Sequence, residues 1–189
     1  SNPKVVPQFA DASALLASLA RRAGVHYKAT CANVRAVERA LADSDAGFGV
    51  SEISLLVSAS EAHSMRNLKQ PRAAQWDNVR KMAAAARGRF RLVGTISVAF
   101  GCPFEGTVDP DTVVADALRF GEIGVDHVAL GDTTGMAHPR SAFEVGSLVK
   151  GNLKDAALAA HFHRADGIEF ANVLASLEAG IDIIDSAAG

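Results

Sequence analysis

The stretch Ala156-Ala157-Leu158-Ala159-Ala160-His161-Phe162-His163 decides the reading of this chain. Its apolar run predicts a β-strand, and the two histidines fall at the C-terminal end of that strand. Side chains alternate faces along a strand, so His161 and His163 project side by side. In a parallel α/β barrel, the C-terminal strand ends are where chemistry is placed. Two imidazoles there suit a divalent ion, and an added carboxylate with open positions would let a substrate chelate it. The pair alone does not separate such a seat from two partly exposed, hydrogen-bonded histidines. Neither the cysteine count nor the spacing suits a four-ligand structural zinc site.

Outward from that strand, the same unit repeats. Short β-like runs are predicted at residues 25–31, 53–57, 91–98, 125–130, 156–162 and 181–185. Helices are predicted between them, at 11–22, 33–43, from Pro71 to about 87, at 110–121 behind the cap Asp109, at 139–150 and at 166–179. Near-continuous apolar strands spaced by helices predict parallel βα units with both sheet faces covered. An open doubly wound sheet would carry a Gly-x-Gly-x-x-Gly turn after an early strand, and none stands there. Polar residues recur instead at strand ends: Ser58, Ser60, Ser97, Asp132, His161, His163 and Asp185. The fold class expected is therefore α/β, a (β/α)8 TIM barrel. A closed barrel needs eight strands and typically about 250 residues. The expectation is an incomplete barrel of about six βα units, a single partial domain over 1–189, with the first two strands and the C-terminal segment absent.

Composition excludes several functions. The 189 residues are 49% hydrophobic and 21% charged, with a net charge of −2. That balance offers no electrostatic case for nucleic acid or an anionic membrane. No apolar run approaches the roughly 20 residues that span a bilayer. Two cysteines make no disulfide framework, so a reducing, cytoplasmic compartment is expected.

Three further constellations lie at strand ends. Gly131-Asp132-Thr133-Thr134-Gly135 has the composition of a tight βα turn. Helix capping falls more naturally to residues beside Pro139, which leaves Asp132 free to point into the barrel mouth. There it could orient a metal-bound water, a histidine or a substrate hydroxyl. Phe100-Gly101-Cys102-Pro103-Phe104-Glu105-Gly106 predicts a rigid loop. No neighbouring cation or helix N-terminus in the sequence would activate Cys102, so a structural thiol is expected; Cys31 reads as a buried strand-end thiol. Residues 58–70 read as a polar loop whose Arg66, Asn67 and Lys69 either hold an anionic ligand group or are simply solvated. His26, His63, His127 and His138 have no partner spacing and are expected on the surface or in loops.

Taken in order, these motifs resemble the 3-hydroxy-3-methylglutaryl-CoA lyase family of metal-dependent TIM-barrel lyases. The matching pieces are Pro3-Lys4-Val5-Val6-Pro7-Gln8 with Ala10-Asp11, Ser58-Ala59-Ser60-Glu61 with Asn67, Gly101-Cys102-Pro103-Phe104-Glu105-Gly106, Leu130-Gly131-Asp132-Thr133, His161-Phe162-His163 and Asp185-Ser186. The resemblance implies cleavage of a 3-hydroxy-3-methylglutaryl-CoA-like substrate to acetyl-CoA and acetoacetate, with Mg2+ or Mn2+. It implies His161 and His163 as metal ligands, Asp132 as an essential catalytic aspartate, and His161 in proton transfer as well. It further implies contacts from Asn67 and Arg66 to the acyl-CoA substrate, a homo-oligomer (a dimer as the expected form), and the mitochondrial matrix in a eukaryote. Leucine degradation and ketone-body formation are the metabolic setting it implies.

The chain also departs from the family. An Arg-Asp-Gly motif and a second-strand glutamate are absent, as is a C-terminal loop with a cysteine and an asparagine ligand. Arg164 stands where the family usually has Asp, Val93 where it has Arg, and Thr95 where it has Tyr. Val93 and Thr95 share one strand face, which predicts an altered pocket wall. A related claisen-type synthase or aldolase is the near alternative, and a non-catalytic barrel remnant that only binds acyl-CoA the distant one.

Overall fold

The computed structural model describes residues 7–154 and 156–186, so Pro3-Lys4-Val5-Val6 of the opening motif lie outside the described residues. Six strands form one sheet: β1 Lys28–Cys31, β2 Glu52–Ser58, β3 Arg91–Ser97, β4 His127–Asp132, β5 Ala157–Phe162 and β6 Ile183–Asp185. Each pairs only with its sequence neighbours, all in parallel, in the order β1-β2-β3-β4-β5-β6. A doubly wound sheet reverses its strand order partway; this one never does. It is an incomplete TIM-barrel wall.

The helices are α1 Ala12–Ser18, α2 Val34–Asp45, α3 Glu61–His63, α4 Arg72–Ala86, α5 Pro110–Ile123, α6 Pro139–Asn152 and α7 Ile168–Glu178, of which α2 and α4 to α7 form the layer against the sheet. Between sheet and helices, Ile53, Leu55, Ile96, Val128, Leu130 and Leu158 pack with Trp76, Val79, Met82, Phe120 and Val149 in the main core. Each such large side chain, fully buried, contributes about 1.5–3 kcal/mol of transfer free energy. Gly94 lets Phe120 lie flat on the sheet: a Cβ there would fall 2.3 Å from the ring. The inner face carries a small cluster, Val93 with Ala129 and Ala159, against which Ile183 packs. Beside it, the hydroxyls of Ser54 and Thr95 share a 2.6 Å hydrogen bond.

Three segments differ from expectation. The helix expected over 11–22 stops at Ser18, and Leu19 is extended. The Tyr27 hydroxyl donates to Ala20 O and accepts from Arg22 N, folding 19–27 around its ring, and β1 starts only at Lys28. Residues 58–70 are not an open polar loop: Ser60 caps α3 by accepting from His63 N at 3.0 Å. A π-helical turn, Ser64–Leu68, follows and ends at Lys69 in the left-handed region. The third difference concerns His63 and His127, which are buried rather than superficial, at 7% and 5% exposure. His127 sits on the inner face in register with Val93. His26 and His138 are exposed as expected, with His138 capping α6. No helix among the described residues is long and apolar enough to cross a membrane.

Candidate active site

Register pairs Gly131 with His161, and His161 with Asp185, on the inner face at the C-terminal end of the sheet. The rings of His161 and His163 lie 4.7 Å apart, nearly perpendicular, so the expected juxtaposition is present. His163 Nδ1 is 2.7 Å from the main-chain oxygen of Asp132. A carbonyl only accepts, so Nδ1 carries a hydrogen, and the tautomer this selects for the neutral ring has its lone pair on Nε2. A backbone acceptor behind a ligating imidazole is the usual way of fixing its tautomer for a metal. Burial, and then the neighbouring His163, hold the His161 pKa below the ordinary imidazole value. A neutral ring is what a metal ligand requires.

Asp132 is close to this pair, but its carboxylate is not free. Register sets Asp132 beside Phe162, on the opposite strand face from His161. Its Oδ1 accepts from Met136 N at 2.8 Å and Ala137 N at 3.1 Å, closing the β4–α6 turn. Its Oδ2 is buried without a partner. The expected freedom to point into the mouth is therefore corrected, because Asp132 caps the turn that follows it while His138 caps the helix proper. Burial raises its pKa, opposed by those backbone N–H groups.

The loops at this end touch in series. After β2, Ser58 Oγ shares a 2.9 Å hydrogen bond with His63 Nδ1. Cys102 Sγ donates to Ser60 Oγ at 3.0 Å. Cys102 is fully buried, which agrees with a structural thiol. Glu105 Oε1 accepts from Ala62 N at 2.8 Å; the Ser60 hydroxyl, then this N–H, hold the Glu105 pKa low. Phe104 stacks with His63, and the Arg66 guanidinium lies 4.3 Å over its ring. Phe100 meets Phe162 at 5.4 Å between centroids, and Gly101 lies against Met136. Val98, just after β3, holds a left-handed φ of 52°, where a β-branched residue is strained. Thr133 Oγ1 accepts its N–H at 2.8 Å.

Arg66 and Asn67, adjacent in sequence, serve different surroundings. Arg66 belongs to the Phe104 stack. Asn67 lines a cavity of about 610 Å3 with Asn33, Gln70, Asn78 and Lys81, and none of Asp132, His161 and His163 lines it. Among the described residues, no group of three or more His, Cys, Asp or Glu stands together as a metal cage. Two neighbouring imidazoles are donors of the kind a divalent ion accepts, and the described residues bring no third such group beside them. Buried Asn172 and half-buried Glu169, both bonded to the turns around the histidines, went unnoticed in the sequence. The signals were a carboxamide inside an apolar helical run and an acid in the first turn after Gly167.

Comparison with known proteins bears on this geometry. The HMGL-like family model matches residues 8–188. A curated relative from Pseudomonas aeruginosa, 3-hydroxy-3-isohexenylglutaryl-CoA/hydroxy-methylglutaryl-CoA lyase, is 35% identical over 98% of this chain and 60% of its own length. The crystal structure of hydroxymethylglutaryl-CoA lyase from the same species superposes with a TM-score of 0.90 at 34% identity, covering 99% of this chain and 61% of that one. An HMG-CoA lyase from Acinetobacter baumannii, solved with coenzyme A and 3-methylmalate, gives a TM-score of 0.90 at 27% identity, over 99% and 59%. The chain spans less than two thirds of the length of each of these relatives.

Proposed function

The chain belongs to the HMGL-like family, and from that premise we propose that it carries part of the active site of a divalent-metal-dependent carbon–carbon lyase. The substrate in this reading is a 3-hydroxy-3-methylglutaryl-CoA-like thioester, cleaved to acetyl-CoA and acetoacetate. The observation that supports it most is the imidazole pair, with His163 held in the Nδ1–H tautomer by the Asp132 carbonyl.

In this proposal His161 and His163 hold the ion through nitrogen lone pairs. A bound Mg2+ or Mn2+ supplies Lewis acidity there, drawing electron density from substrate oxygens. The nitrogen of His161 that holds the ion cannot also take a proton, so its proton-transfer role falls to the other ring nitrogen. Asp132 serves through its carbonyl, which orients His163, and through the turn its carboxylate closes. Asn67, at the polar cavity, and Arg66, stacked on Phe104, are the proposed contacts for the CoA-bearing part of the substrate. On the inner wall Val93 is buried with Ala129 and Ala159, while Thr95 is tied to Ser54. The small side chains Val93 and Thr95 at the expected Arg and Tyr positions support a variant acyl group, whose cleavage would release the corresponding homologue of acetoacetate. A homodimer, in the cytoplasm or the mitochondrial matrix, belongs to the same reading.

The test measures Mn2+ affinity by electron paramagnetic resonance in the complete chain and in His161→Ala and His163→Ala. Each substitution is expected to weaken binding at least about 10-fold. Unchanged affinity in both would remove the metal seat, and turnover of hydroxymethylglutaryl-CoA at the rate of its established lyases would remove the altered acyl group.

A further inference from the structure

Helix α7 carries two polar side chains, Glu169 and Asn172, whose hydrogen bonds go to two different turns. Glu169 Oε2 accepts from Ala165 N at 3.0 Å and from Gly167 N at 2.9 Å, closing the turn that follows His163. Asn172, three residues on, is fully buried. Its Nδ2 donates to Ala137 O at 3.1 Å, across 35 residues of sequence. The N–H of the same Ala137 goes to Asp132 Oδ1 at 3.1 Å. The Asp132 carbonyl in turn receives His163 Nδ1. The two turns also touch directly, since a Cβ on Gly135 would come 3.0 Å from Arg164 O.

A helix satisfies its own interior backbone, so a buried carboxamide in mid-helix adds nothing to α7 itself. Burying a carboxamide costs free energy unless it is hydrogen-bonded. The bond this one makes is from Nδ2 to Ala137 O, its Oδ1 being buried without a partner. Here that bond fastens α7 to the β4–α6 turn, while Glu169 fastens it to the β5–α7 turn. Asp132 ends β4 in register with Phe162, and His163 is the first residue after β5. The strand pairing thus brings carbonyl and ring near, while the two turns set how the ring is aimed. Their 2.7 Å contact therefore depends on the turns for its alignment.

We infer that Asn172 and Glu169 are positioning residues that set the orientation and tautomer of His163 from opposite sides. The structural part stands without the lyase reading; only its consequence for metal affinity rests on that reading.

The test reads His163 by 15N NMR in the metal-free complete chain, at one neutral pH, together with Mn2+ affinity. Asn172→Asp keeps the shape of the side chain and removes the donor. It is expected to shift His163 from the Nδ1–H tautomer to a mixture and to weaken Mn2+ binding about 10-fold. Glu169→Ala, at a half-exposed site, is expected to do the same, whereas Glu169→Gln, which keeps an acceptor oxygen, restores the original spectrum. A lowered Tm with an unchanged His163 spectrum in Asn172→Asp and Glu169→Ala would overturn the inference. Should Asn172→Asp fail to fold, the Glu169 pair decides alone. A shifted spectrum with unchanged Mn2+ affinity would sustain the inference and sink the metal seat instead.

Discussion

His163 Nδ1 donates to the main-chain oxygen of Asp132 across 2.7 Å, while the carboxylate of that same Asp132 closes the turn on the other face of the strand. One residue thus serves the candidate site through its backbone and the fold through its side chain. The two tasks separate because the carbonyl lies in the strand's hydrogen-bonding direction and the side chain follows the two-residue alternation.

Substitution at Asp132 is expected to split accordingly. Asp132→Asn keeps an oxygen for the Met136 and Ala137 N–H groups, so stability should stay within about 1 kcal/mol of the original. Asp132→Ala strands both donors and should cost about 2 kcal/mol. Urea denaturation checks this, and equal losses for the two variants would contradict the capping role. If Asp132→Asn keeps both stability and Mn2+ affinity yet abolishes turnover, the buried Oδ2 has a chemical task of its own.

The ion pair of Arg72 with Asp116 gives a second expectation. Asp116 is almost fully buried, and Arg72 also donates to Ser58 O at 2.7 Å, tying α4 and α5 to the end of β2. Arg72→Met leaves a buried carboxylate unpaired and should destabilise by about 3 kcal/mol at neutral pH. Burial raises the Asp116 pKa even with Arg72 present, and more so without it. The deficit should therefore narrow as acid neutralises Asp116. A deficit that stays constant from pH 7 to pH 4 would speak against the pairing.

The buried histidines set a pH dependence. His63, His127 and His161 all have pKa values lowered by burial. An unfolded imidazole takes its proton near pH 6.5, so just below that the unfolded chain binds more protons than the folded one. Stability is then full above about 6.5, falls as pH drops below it, and levels off under the depressed folded values. His127→Leu removes one of the three titrations and should flatten the decline, as followed by denaturation midpoints between pH 7.5 and 5. A slope as steep as the original would remove His127 from this account.

Both cysteines should be unreactive while the protein is folded. Cys31 and Cys102 are free and buried, and burial pushes the Cys31 thiol up to about 11. Against the ordinary thiol value of 9.0, that leaves a thiolate fraction about 100-fold smaller at neutral pH. Labelling with an aromatic disulfide should be slow in buffer and complete in denaturant. Fast labelling of the folded chain would show a more open loop after β3 or a looser β1 edge.

Much of the frame was legible in the residues. The apolar runs predicted all six strands, Asp109 stands as the helix cap expected, and His161 and His163 were placed on one face by alternation alone. These features belong to single segments, whose backbone geometry repeats every 2 or 3.6 residues. The segment 58–70 resisted because its order comes from Ser60 meeting Cys102 and Glu105, more than 40 positions away. His63 and His127 were misjudged for the same reason: the segments that bury them are remote in the chain.

By itself, then, the sequence determined which segments are strands, that they pair in parallel as a barrel wall, and that two imidazoles stand together at one strand end. Only the tertiary structure decided that His163 points its Nδ1–H at a carbonyl, that the Asp132 carboxylate turns away, and that α7 grips both turns. Local periodicity sets where a side chain leaves the backbone. What it meets there depends on which other segment has been packed against it.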